Sequence, residues 1–320
     1  MNDSILYINE SKVKKLLNWD DTCKAVETAL RMQFLKKAIQ PPRLVTSTPD
    51  GLTLYMMPGY LHDGIAGVLA CKMVTATDNT LQPRPLPNLM ANISIFNDTT
   101  GELNAIIAGT EITKWRTAAA SVIATKQFLP PTYRVLAILG AGAQAEIHAL
   151  AFKKYFNFQQ IRIWNHNILR AHMLSAQLNM IFQENLCIVS SSLQYCLEEA
   201  DVIITATSSF EPLIYLDWIK PGVHINAVGV YEGQVKEIGL PVYKVADLYV
   251  DSEENAAVEM KDILAEGVDI KGELGGIIEG VVPRPNKPRV TIFQSLGMAS
   301  EDCAMAGLVY NRYQMSLEVD

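Results

Sequence analysis

The chain has 320 residues, 49% of them apolar and 19% charged, which is enough apolar character for two packed domains and too much for a disordered chain. Lys and Arg number 27 against 34 Asp and Glu, a formal net charge of -7, which argues against a nucleic-acid partner, since that needs clustered basic residues. The one compact basic stretch, 283–289, is broken by Pro283, Pro285 and Pro288 and reads as a solvated loop.

Along the chain, Val26, Leu30, Phe34 and Leu35 recur at helical spacing and predict a helix over 20–37, with Asp20 or Asp21 as its cap. From about 42 to 108 the pattern changes to short apolar runs, 52–57, 68–74, 90–96 and 103–108, separated by turn residues. The stretch 98–101 between the last two has the chemistry of a hairpin turn, so this half is expected to be strand-rich and antiparallel. The Ala-rich stretch from Arg116 to Phe128 is expected to be a helix that begins at Arg116 and stops before Pro130 and Pro131. Beyond it, apolar strands at 135–139, 161–164, 186–189, 202–206 and 223–228 are expected, with helices over 143–155 and 168–182 following the first two. That alternation predicts an α/β fold with a Rossmann-type, doubly wound parallel sheet beside the strand-rich domain. A last helix, over 298–316, is expected to return to the first domain.

Cys23, Cys71, Cys187, Cys196 and Cys303 contain no CxxC pair and read as small core hydrophobes in a reducing compartment. The first residues have neither a basic start nor an apolar core, and no apolar run approaches the roughly 18 residues of a membrane span. A cytoplasmic protein with no membrane partner is expected, and no metal site is read.

The sharpest local motif is Gly140-Ala141-Gly142-Ala143-Gln144-Ala145, between an expected strand and an expected helix. Gly140 would permit the tight turn, Gly142 the approach of a pyrophosphate and Ala145 close helix–strand packing. Phosphates would then meet the free N–H groups at Ala143 and Gln144. After the second strand an NAD-specific enzyme carries a carboxylate for the ribose 2′-hydroxyl. Here the sequence is Trp164-Asn165-His166-Asn167 with Arg170 one turn on, which favours NADP(H) and leaves NAD(H) open.

Around the glycine turn stand 116–125, 138–144, 161–165, 200–205, 224–229, 249–252 and 295–299, and this ordered set resembles the ornithine cyclodeaminase/mu-crystallin family from about residue 40 to 310. The resemblance implies a homodimer whose N-terminal domains share a barrel-like sheet. It implies a substrate-binding and dimerisation domain over 1–115, rejoined by 299–320, and a dinucleotide-binding domain over 116–298. It places a substrate carboxylate on Arg43, Lys72 and Arg116, Tyr231 beside the substrate, and cofactor contacts at Thr205, Val228, Ser295 and Leu296. Lys72 lies inside an apolar strand, where a lone charge is costly, so it should have an anionic partner. Flanked by two arginines it should have a lowered pKa, which makes it the candidate proton donor. Arg116, expected at a helix start, would act with the backbone N–H groups there.

The implied activity is hydride reduction of a small cyclic or N-substituted imino acid by NAD(P)H to an L-amino acid. The alternatives are ornithine cyclodeamination or amino-acid dehydrogenation, and a non-catalytic small-ligand protein of the crystallin kind. Ornithine-processing members carry an acid after the Val-Gly that closes the strand, where this chain has Tyr231, with Glu232 next to it. They also carry a Glu shortly before a Met-Pro pair, where this chain has Leu54-Tyr55-Met56.

Overall fold

The computed structural model describes residues 5–62, 64, 66–77, 89–229, 236–285 and 289–318. The chain divides into two compact units, Met1–Arg116 with Gly297–Asp320, and Thr117–Leu296.

The first unit opens with β1 (Tyr7–Ile8), α1 (Glu10–Leu16), α2 (Trp19–Phe34), β2 (Ala38–Ile39) and β3 (Leu44–Ser47). It continues through β4 (Leu52–His62), β5 (Gly67–Thr77), β6 (Leu89–Phe96) and β7 (Leu103–Ala108) into α3 (Thr110–Phe128), whose second half belongs to the other unit. Strands pair in the order β1-β7-β6-β5-β4-β2, with β3 also on β4, and every pairing is antiparallel except β1 with β7. The expected hairpin joins β6 to β7, with Asn97 Oδ1 accepting from the amides of Thr99 and Thr100 and Gly101 at φ +76°.

Two helix starts differ from the sequence expectation. The cap of α2 is Asn18, whose Oδ1 accepts from Asp21 N at 3.0 Å, while Asp20 and Asp21 sit in the first turn, where the helix dipole favours them. Helix α3 begins at Thr110, which puts Arg116 in its second turn rather than at its start. The reason is a cap distant in sequence: Glu10 accepts from Thr110 N at 2.8 Å and from Glu111 N at 3.2 Å. Arg116 therefore has no free helix-start amides beside it.

The second unit alternates β8 (Val135–Leu139), α4 (Ala143–Tyr155), β9 (Gln160–Trp164), α5 (Ile168–Phe182), β10 (Cys187–Val189), α6 (Leu193–Leu197), β11 (Val202–Thr205) and β12 (His224–Ala227). After these come α7 (Leu240–Val245), β13 (Asp247–Val250), α8 (Glu253–Glu259), α9 (Lys261–Ala265), β14 (Ile270–Glu273), α10 (Leu274–Ile278) and β15 (Thr291–Gln294). All strands are parallel in the order β10-β9-β8-β11-β12-β15-β13-β14. The order runs outward from β8 one way and then from β11 the other, so the doubly wound switch point lies between those two strands. Near-continuous apolar strands such as Val202–Thr205, buried throughout, are what a sheet covered on both faces requires.

The last helix, α11 (Ala299–Leu317), belongs to the first unit and lies on β4 and β5. Small residues set that approach: a Cβ on Gly59 would come 2.9 Å from Ala299 Cβ, and one on Gly307 would come 2.9 Å from Val68 Cγ2. Among the described residues, no helix is long and apolar enough to cross a membrane.

Candidate active site

Strand β5 alternates, so Ala70, Lys72 and Val74 point to its buried side; Lys72 is only 2% exposed. Burying an ammonium demands a counter-charge. Helix α11 supplies it, with Asp302 Oδ2 lying 2.6 Å from Lys72 Nζ. Arg116 reaches the same helix, with Nη1 3.0 Å from Glu301 Oε2 and Nε 3.7 Å from Asp302 Oδ1. Glu301 stands in the first turn of α11, where its Oε2 also accepts from Met298 N at 3.3 Å. Arg43, half-buried just before β3, donates from Nη2 to the Gly297 carbonyl at 3.4 Å.

The three expected basic residues therefore converge, Lys72 and Arg116 held by two carboxylates and Arg43 by the Gly297 carbonyl. Burial pushes the Lys72 ammonium down from 10.5 to about 8. Asp302 opposes that shift, and the positive charges of Arg116 and Arg43 add to it. The anionic partner expected for Lys72 is thus present within the chain, as Asp302.

Gly297 locks the arrangement. Its φ of +81° favours glycine, and a Cβ there would lie 2.7 Å from Arg116 Nη1 and 2.8 Å from Nη2. The Nη1–Nη2 edge of the guanidinium meets a backbone that has no room for a side chain.

In the second unit, the glycine turn sits at the carboxyl end of β8, beside the switch point. Gly140 has φ +117°, and a Cβ on it would come 2.4 Å from the Ala206 carbonyl oxygen in the loop after β11. Gly142 differs: it caps α4 without any side-chain hydrogen bond, and a Cβ there would meet nothing within 4 Å. That open approach to helix amides suits a pyrophosphate. Beside it, Gln144 Oε1 is buried without a hydrogen-bond partner among the described residues, an acceptor suited to a nucleotide hydroxyl. These features fit a dinucleotide.

Behind the turn, His148 Nδ1 is 2.7 Å from the Gln144 carbonyl and Nε2 is 3.0 Å from Ser121 Oγ, which fixes α4 against α3. At the end of β9, Asn165 Nδ2 donates to the Asn167 carbonyl at 3.0 Å, and Asn167 Oδ1 caps α5 by accepting from Leu169 N and Arg170 N. His166 and Arg170 are exposed there, and the first turn of α5 carries no acid. Thr205, Val228, Ser295 and Leu296 all lie at the carboxyl ends of β11, β12 and β15, with Val228 N donating to the Thr205 carbonyl at 3.0 Å and Ser295 N to the Ala227 carbonyl at 2.9 Å. Tyr231 and Glu232 lie outside the described residues.

A model of the ornithine cyclodeaminase/mu-crystallin family matches residues 5–316. The chain belongs to this family. Within it, the ketimine reductase mu-crystallin of Rattus norvegicus is 39% identical over 279 residues, 83% of this chain and 87% of that relative. Among solved structures, Δ1-pyrroline-2-carboxylate reductase of Thermococcus litoralis, in complex with NADH and L-proline, matches with a TM-score of 0.90 at 29% identity over 98% of both chains. An archaeal alanine dehydrogenase dimer with bound NAD matches with a TM-score of 0.89 at 26% identity, over 98% of this chain and 97% of that one.

Sequence reading missed Glu301, Asp302 and Glu237 as parts of this family member's charged interior. A Glu-Asp pair opening a helix reads as ordinary capping and dipole chemistry. Both residues are nevertheless at most 1% exposed, which nothing local announces.

Proposed function

We propose that this protein reduces a small cyclic or N-substituted imino acid to the L-amino acid with NAD(P)H. The observation that carries the reading is the convergence of Lys72, Arg116 and Arg43, with Lys72 and Arg116 buried and paired to Asp302 and Glu301. A substrate carboxylate is the kind of anion that converging basic groups recognise. Arg116 and Arg43 present planar donors to it and thereby orient the C=N carbon. Lys72, with a pKa of about 8, is protonated at neutral pH yet acidic enough to give its proton to the imine nitrogen. A bound nicotinamide would supply the hydride to the carbon. The relatives named for ketimine and pyrroline-2-carboxylate reduction support this substrate class.

NADP(H) is the proposed cofactor, because Asn165 and Arg170 stand after β9 with no carboxylate to repel a 2′-phosphate. The first unit is proposed to bind substrate and to dimerise. Its sheet leaves Leu44, Met56, Leu69, Met90 and Leu103 exposed, an apolar surface of the kind that subunit interfaces cover. The similarity to a dimeric alanine dehydrogenase supports the same reading. All five cysteines are free thiols, in keeping with a cytoplasmic location.

Amino-acid dehydrogenation is the second reading, favoured by the similarity to alanine dehydrogenase, and it would use the same groups in reverse. Steady-state oxidation of NADPH and NADH with cyclic ketimine carboxylates tests the proposal. Turnover with these substrates exceeding deamination of L-alanine is the expected result, and oxidation of neither cofactor refutes it.

A further inference from the structure

The second unit contains a buried carboxylate that has no part in the chemistry above. Glu237 is 3% exposed and stands before α7. Its Oε2 accepts from Thr205 Oγ1 at 2.5 Å and Gly229 N at 3.0 Å. Its Oε1 accepts from Thr207 N at 2.7 Å and Thr207 Oγ1 at 2.6 Å. Its own carbonyl accepts from Leu213 N at 2.8 Å and Ile214 N at 3.2 Å. One side chain thus gathers the end of β11, the loop after it and the loop after β12.

Burying a carboxylate against four neutral donors is costly, and burial does push its pKa up. An apolar residue would leave the Thr207 and Gly229 amides without an acceptor, so the carboxylate is what fixes the positions of these two loops. The packing is equally specific: a Cβ on Gly229 would lie 2.2 Å from Glu237 Oε2 and 2.5 Å from the Thr207 carbonyl oxygen. Thr207 follows Ala206, whose carbonyl lies against Gly140. Glu237, Thr207, Ala206 and the glycine turn therefore form one connected series at the carboxyl ends of β8, β11 and β12. In a doubly wound sheet the ligand crosses at that edge, beside the switch point.

We infer that Glu237 is a positioning residue that shapes the wall receiving the nicotinamide half of the dinucleotide, through Thr207 and Gly229. The inference rests on the proposed use of NAD(P)H. Glutamine at this site cannot substitute, because the amides of Thr207 and Gly229 face different oxygens. Either orientation of the Gln amide sets an NH2 against a backbone N–H.

The test compares whole cofactor with a fragment that lacks nicotinamide. In Glu237→Gln, NADPH binding, followed by its fluorescence, is expected to weaken about ten- to a hundredfold, the scale of a lost hydrogen bond to a charged group. Binding of 2′-phospho-ADP-ribose, measured by calorimetry, should stay within about twofold, since Glu237 bonds to Thr205, Thr207 and Gly229 and to no residue of the glycine turn or β9. Thr207→Val, which removes at a half-buried position a hydroxyl that donates to Glu237 and accepts from Ser209 N, and keeps the backbone amide, should show the same contrast at about tenfold, and it decides the matter if Glu237→Gln does not fold. Unchanged NADPH affinity in the folded variants, or equal loss for the fragment, overturns the inference. A wild-type protein that binds no NAD(P)H overturns the parent reading as well, and that outcome is seen before any variant is made.

Discussion

Lys72 Nζ and Asp302 Oδ2, 2.6 Å apart and each no more than 2% exposed, join the middle of a strand to the first turn of the last helix across 230 residues of sequence. The pair lets a lysine remain charged in an apolar interior, and burial and the two nearby arginines make it more acidic than a surface lysine. Replacing Lys72 with Met should lower turnover by about two orders of magnitude or more. It should also destabilise the fold by about 3 kcal/mol, because Asp302 loses its close partner and keeps only Arg116 Nε at 3.7 Å. Adding Asp302→Asn should restore most of the melting temperature but none of the turnover, which separates the chemical role from the structural one. Near-normal turnover in the single variant would remove Lys72 from the mechanism.

Gly297 offers a way to disturb Arg116 without touching a charge. Gly297→Ala places a methyl 2.7 Å from the guanidinium and a side chain at φ +81°, a strain of about 1–2 kcal/mol before any displacement of Arg116. The KM for the imino acid should rise about tenfold to a hundredfold, as expected when a carboxylate clamp shifts by a fraction of an ångström. Cofactor affinity, measured separately, should not move.

The pH profile follows from the lowered Lys72 pKa. The competent form is the protonated one, and its population declines as pH rises through about 8. kcat/KM for imine reduction should therefore fall about tenfold per pH unit above that point. Because Asp302 supports the charged lysine, Asp302→Asn should move the decline to lower pH. A shift to higher pH, or none, would show that another group titrates.

How much of this was legible in the sequence differs between the two units. The Rossmann half could be read almost residue by residue, because β8, the glycine turn and α4 are contiguous and each element follows its own period. The basic trio was also found, through the family resemblance. What holds the trio in place was not, because Glu301 and Asp302 look like capping acids until α11 is laid on β5. The start of α3 failed for the same reason: its cap, Glu10, is a hundred residues upstream. Long-range partners of charged groups are set by tertiary packing, to which local periodicity is blind.

Cofactor choice can be tested at Asn165. Asn165→Asp sets a carboxylate beside the site proposed for the 2′-phosphate, and the ratio of kcat/KM for NADPH over NADH should drop about tenfold to a hundredfold. A wild-type preference for NADH would refute the proposed specificity and leave the carboxylate cluster unaffected.

Hydride transfer itself is the most direct test of the proposed activity. NADPH carrying deuterium at the reactive face of C4, incubated with a cyclic ketimine carboxylate, should yield the L-amino acid with deuterium at Cα, detected by mass spectrometry and NMR. The product should form in step with NADPH oxidation. Unlabelled product, or ammonia released from L-ornithine as the sole turnover, would contradict the assignment of this site to imine reduction.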